Sequence, residues 1–158
     1  MSIDRALVVS AGIAVALAVG AVSWNVYSRS PPRTYRPGDR VAELPEVDFG
    51  STAKTVVIFV NIHCEACRRS VPLFRAMRDR AKSTHFVIVG MDRLESLNAY
   101  AADNGLSGFQ IVSLGQRTIP VTLVPTVVVV DAKAVVRRVQ VGEVRTDAEK
   151  GSLLAEVG

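Results

Sequence analysis

A run rich in β-branched and aromatic residues, Thr55 to Ile62, leads directly into His63-Cys64-Glu65-Ala66-Cys67 and then a helical pattern. In that pattern Val71, Phe74, Met77 and Ala81 recur at steps of three and four. Arg68, Arg69, Arg75, Arg78 and Lys82 fall largely between them. A near-continuous apolar strand is buried on both faces, and the following helix has one apolar stripe. Strand followed by helix with this patterning points to an α/β chain. The turn between them holds Cys64 and Cys67, the only two cysteines. Cys64 falls at or just before the helix start, where orphan backbone N–H groups and the positive end of the helix dipole stabilise a thiolate. The neighbouring thiol can close a reversible disulfide with it.

The rest of the chain repeats the alternation. Phe86 to Met91 is a predicted second buried strand, and Leu94 to Asn104 a helix with Leu94, Leu97 and Ala101 inward and Gly105 at its C-terminal cap. Phe109 to Leu114 is a third strand. Val124-Pro125-Thr126 opens Val127 to Val130, the most β-prone run of all. Ala132-Lys133 turns the chain into Val135 to Val141, and Thr146 or Asp147 caps a last helix to about Val157. Val41 to Phe49 supplies a small strand or only a lead-in. This order predicts an α/β sandwich around a mixed sheet, and 158 residues leave room for one domain.

The N-terminus has a different composition. Ala6 to Val22 runs for 17 residues without a charge, and Trp24 and Tyr27 follow as interfacial aromatics. It reads as a signal-anchor that stays in the membrane; a secretory signal cleaved near Ala21 to Ser23 is the rival. Ser28 to Gly38, with three prolines and three arginines, reads as an extended linker. The expected division is an anchor or signal at 1–28, a linker at 29–40 and a folded domain at 41–158. Counted by Lys and Arg alone, Arg29, Arg33, Arg36 and Arg40 against Arg5 favour a cytoplasmic C-terminal side. Export to the periplasm or exterior is nevertheless the expectation. Signal-like segments often carry one basic residue, and a redox CxxC suits an oxidising compartment. The net charge of +4 is spread along the linker and one helix without interleaved aromatics, which argues against nucleic acid.

With these residues in place, the chain resembles the thioredoxin superfamily. It is most similar to membrane-anchored thiol-disulfide oxidoreductases of the cytochrome c maturation type (TlpA/ResA-like). The CxxC follows the first core strand, with Glu65 inside it. Pro72 lies eight residues after Cys64, where the family kinks its active-site helix. Leu94 to Leu114 matches an inserted helix and strand, and Val124-Pro125-Thr126 resembles the cis-proline loop. The resemblance spans roughly Thr55 to Val141. It implies a thioredoxin-like α/β/α sandwich with a central mixed sheet behind one N-terminal transmembrane helix. The chain departs from the family in having His63 where a Trp is usual and Ile58 where thioredoxins carry a buried Asp. It also lacks Gly in the Asp131–Ala134 turn.

The catalytic candidates are Cys64, attacking a substrate disulfide, and Cys67, resolving the mixed disulfide. Val124 and Pro125 are the substrate-binding candidates. If cis, as the resemblance implies, Pro125 keeps a backbone N–H out of the site and exposes the Val124 backbone to a peptide; if trans, it merely starts a strand. His63 either favours the thiolate or replaces a packing Trp. Glu65 tunes the couple by its charge, or is a solvated first-turn residue favoured by the dipole. The expected function is a membrane-tethered thiol-disulfide oxidoreductase acting on protein disulfides, most simply as a reductase recharged by a membrane electron donor. It would need no organic cofactor and no metal. The alternatives are a copper or zinc carrier using the two thiols with His63 and His85, or a peptide-docking module without turnover.

Overall fold

The computed structural model describes residues 34–158. The expected membrane helix and residues 29–33 of the expected linker lie outside these residues. Among the described residues, no helix is long and apolar enough to cross a membrane.

Five strands form one sheet in the order β3-β2-β1-β4-β5. They are β1 (Lys54–Val60), β2 (His85–Gly90), β3 (Gln110–Ser113), β4 (Thr126–Asp131) and β5 (Val136–Val141). Three α-helices connect or follow them: α1 (Glu65–Arg80), α2 (Leu94–Asp103) and α3 (Asp147–Val157). β1, β2 and β3 run parallel, whereas β4 lies antiparallel to β1 and β5 antiparallel to β4. The sheet is mixed, as the alternation predicts. Thr55 to Val60 are all buried, as befits the central strand.

The expected two-sided sandwich has α-helices on one face only among the described residues. Val56, Ile58, Val60, Phe86 and Ile88 form one core with Phe74 and Met77 of α1, Leu97 and Tyr100 of α2, and Leu153 of α3. Both parallel crossovers step the same way across the sheet. Their right-handedness therefore puts α1 and α2 on the same side. Val57, Phe59, Val87, Val89 and Val128 face the opposite way and are covered by Tyr35, Val41, Leu44, Val47 and Phe49. That cover is irregular chain with one 3-10 turn at Phe49–Ser51 and a single bridge between Arg40 and Val135.

Packing thus begins before the expected boundary at 41. Tyr35 is 2% exposed, its ring lies 6.0 Å from that of Phe59, and its hydroxyl donates to Glu43 Oε2 at 2.9 Å. A second departure is Leu94, expected inward but 45% exposed; Tyr100 fills the inward position instead. Leu94 is the first residue of α2, at its exposed end.

The helix ends obey local chemistry. Thr146 Oγ1 accepts from Glu149 N at 3.2 Å while the Glu149 carboxylate accepts from Thr146 N, a reciprocal cap on α3. At the other end of α3, Lys54 Nζ donates to Glu156 O at 2.7 Å and Thr84 Oγ1 to Val157 O at 3.1 Å. Those carbonyls have no intrahelical partner, so a cation from β1 and a hydroxyl from the turn before β2 satisfy them. The β4–β5 turn has no glycine, and Ala134 itself takes φ +61°. Asp131 Oδ1 compensates by accepting from Lys133 N at 2.9 Å and Val135 N at 3.0 Å.

Candidate active site

β1 ends at Val60 on the central line of the sheet, between a parallel and an antiparallel neighbour. Open α/β sheets place their reactive crevices at the carboxyl ends of such strands. The chain turns there through Asn61, Ile62 and His63. Asn61 Oδ1 accepts from His63 N at 2.8 Å, and Cys64 N donates to Asn61 O at 3.0 Å. Asp92, just beyond β2, clamps the same turn by accepting from Ile62 N at 3.3 Å. Ser113 Oγ in turn donates to Asp92 O at 2.7 Å.

Cys64 is the N-cap of α1, with φ −81° and ψ 115°. Its sulfur takes the place of the usual capping oxygen and accepts from Cys67 N at 3.3 Å. Both cysteines are thiols in this structure; Cys64 is half-buried and Cys67 fully buried. Burial pushes the Cys67 thiol up, to about 12, and its hydrogen bond with Cys64 acts in the same direction. The two sulfurs that the sequence pairs are therefore together, one reachable from solvent and one sealed beneath it.

The other predicted site residues divide into two groups. Val124–Pro125 is the cis bond in the described chain, and its loop faces Cys64 directly. The Cys64 thiol donates to Val124 O at 3.6 Å. Pro125 is buried, and its carbonyl accepts from Gly142 N at 2.7 Å, which ties the loop to the end of β5. His63 and Glu65, by contrast, are exposed. The Glu65 carboxylate is engaged by Arg68 and lies 3.7 Å from Arg69 Nη1, so its charge is shared with two guanidiniums on α1. That pairing blunts the influence on the thiols expected of a bare carboxylate.

Among the described residues, no group of three or more His, Cys, Asp or Glu could hold a metal. His85 pairs with Thr55 at the start of β1 and β2, the opposite end of the sheet from Cys64. It cannot join the thiols as a ligand.

Three contributors are not singled out by the sequence. Asp92 clamps the turn from thirty residues away. Glu143 binds Arg69 through two hydrogen bonds, 2.9 and 3.0 Å, fastening α1 to the chain after β5; Arg69 in return holds the Glu143 carboxyl below its ordinary range. Tyr100 packs in the same core as Cys67, and its buried hydroxyl has no hydrogen-bond partner. Burial, then the nearby Cys67 and Cys64, push that phenol up to about 12. The inward spacing of Tyr100 with Leu97 was visible in the sequence, but its proximity to the thiols was not.

No protein-family model matches the chain, and no curated protein sequence does. Solved structures do. A candidate thiol:disulfide interchange protein DsbE from Chlorobium tepidum superposes with a TM-score of 0.61 at 22% identity, covering 79% of this chain and 100% of that one. A secreted Mycobacterium tuberculosis disulfide oxidoreductase gives a TM-score of 0.56 at 14% identity, over 66% of this chain and 81% of that one. StoA from Bacillus subtilis gives 0.51 at 19% identity, over 63% and 82%. The chain has the thioredoxin fold, in the arrangement that these thiol-disulfide oxidoreductase structures share.

Proposed function

We propose that this chain is a membrane-tethered thiol-disulfide oxidoreductase that reduces protein disulfides outside the cytoplasm. The observation that carries the reading is Cys64: it caps a helix, accepts a hydrogen bond from the Cys67 backbone N–H and touches the Val124 carbonyl. Its ionised sulfur attacks one sulfur of a substrate disulfide. The substrate S–S bond breaks, a mixed disulfide forms, and the departing substrate sulfur leaves as a thiolate. Cys67 then loses its proton and attacks Cys64 Sγ. The second substrate thiolate departs and the Cys64–Cys67 disulfide closes, so two electrons have passed to the substrate. No organic cofactor enters this exchange.

The reductase direction is supported by the compartment: where disulfides form readily, a protein dithiol is useful as a donor of electrons. Recharging requires an external dithiol donor, which we place in the membrane. The apolar segment from Ala6 to Val22 would keep the domain beside it. Val124 and Pro125 present the substrate backbone with a carbonyl and, at proline, no competing donor.

Reduction of insulin by the dithiol form, followed against Cys64→Ser, tests the activity; equal rates for the two proteins would sink it. A reporter fused after Gly158 that is active only outside the cytoplasm tests the compartment, and a signal from the cytoplasmic side would remove export.

A further inference from the structure

On the sheet face away from Cys67, a cavity of about 190 Å³ opens beside the reactive turn. Phe59, Val89, Leu114, Ile119, Val121 and Val124 line it. No charged residue does. Cavities that hold cofactors or drug-sized ligands run from roughly 300 to 1,000 Å³. This one has room for a single large side chain, and its walls suit an apolar one. Met91, which also lines it, is 63% exposed, and Leu123 next to Val124 is 45% exposed.

Val124 joins this cavity to the chemistry. Its side chain packs against both core clusters and lines the cavity, while its carbonyl accepts from the Cys64 thiol at 3.6 Å. A polypeptide whose cysteine is bonded to Cys64 must therefore pass over the cavity wall. In an extended segment the residue two places from that cysteine projects to the same side, roughly 7 Å along the chain. We propose that the cavity beside Val124 is a specificity pocket taking one apolar side chain, of leucine, methionine or phenylalanine size, from the substrate two residues from its reacting cysteine. This assignment rests on the oxidoreductase reading and adds the class of sequence it prefers.

The test is a set of disulfide-linked peptides, otherwise glycine and serine, with leucine placed one or two residues before or after the cysteine. Rates of reduction by the full-length dithiol protein are compared with the leucine-free peptide. Leucine two places away, on at least one side, is expected to raise the rate about tenfold, the scale on which apolar pockets discriminate. In Ile119→Trp, which fills the cavity, the ratio of leucine to leucine-free rates should collapse towards one. Val121→Ala enlarges the cavity with less risk to folding, and should shift the preference from leucine to phenylalanine. Equal rates across the peptides, or a preference only one residue away, overturn the pocket while leaving the oxidoreductase standing. So does an Ile119→Trp or Val121→Ala protein with the unaltered preference. Failure to reduce any peptide, insulin included, overturns the oxidoreductase reading itself and the pocket with it.

Discussion

The Cys64 thiol and the Val124 carbonyl oxygen, sixty residues apart in the chain, lie 3.6 Å from each other. In the proposed exchange, a substrate sulfur bonded to Cys64 would lie against a backbone segment able to pair with the substrate's own backbone. Chemistry and recognition would then share one contact, and the roles proposed for the two thiols follow from which of them faces it.

Cys64→Ser should reduce disulfide exchange to the protein-free background. Cys67→Ser should instead accumulate a mixed disulfide with substrate, because attack proceeds and resolution does not. Non-reducing electrophoresis with mass spectrometry distinguishes them; accumulation in Cys64→Ser in place of Cys67→Ser would reverse the assignment.

Stability of the reduced protein should fall at alkaline pH. The Cys67 thiol titrates near 12 in the folded chain and at about 8.5 once unfolded. A raised value means the folded state holds the proton more tightly. Its contribution is complete below about pH 8.5 and is lost as pH climbs towards 12, at no more than roughly 1.4 kcal/mol per pH unit. Urea melts between pH 8 and about 9.5, below the range in which the raised tyrosines Tyr35 and Tyr100 add a slope of their own, should show this slope in the reduced protein and lack it in the disulfide form. A reduced-state slope unchanged in Cys67→Ala would assign it elsewhere.

Tyr100→Phe should be neutral or stabilising by up to about 1 kcal/mol. It removes a buried hydroxyl that has no partner while keeping the ring in the core. A loss above about 1.5 kcal/mol in chemical denaturation would show that the hydroxyl is satisfied in solution.

Gly90→Ala should destabilise by about 1–3 kcal/mol. A Cβ there would stand 2.6 Å from Leu97 Cδ2 and 3.3 Å from the Val60 carbonyl oxygen. Leu97 is fully buried, so its methyl has little room to retreat. Leu97→Ala, itself destabilising as a buried truncation, should cost less in the Gly90→Ala background than alone, and a double variant no better than the sum of its parts would contradict the clash.

Periodicity made the elements readable. Val71, Phe74 and Met77 mark the buried stripe of α1, and the valines of β4 mark a strand covered on both faces. The sequence ended β1 at Ile62, whereas it closes at Val60. Asn61 uses its side chain to bond the backbone of the turn, and such local bonding competes with the ladder. The turn at Ala134 likewise gave no glycine signal, because Asp131 supplies the backbone bonds that hold it.

By itself the chain's order of residues determined which thiol caps the helix, since a cap depends only on neighbours along one turn. It also determined the alternation of strand and helix. Only the tertiary structure decided what meets that thiol. Val124, Asp92 and Glu143 arrive from separate strand ends, and the sheet order β3-β2-β1-β4-β5 brings those ends to one edge. Strand pairing is a long-range choice among registers that no local pattern records, and so the site's walls, unlike its sulfurs, were invisible until the sheet was assembled.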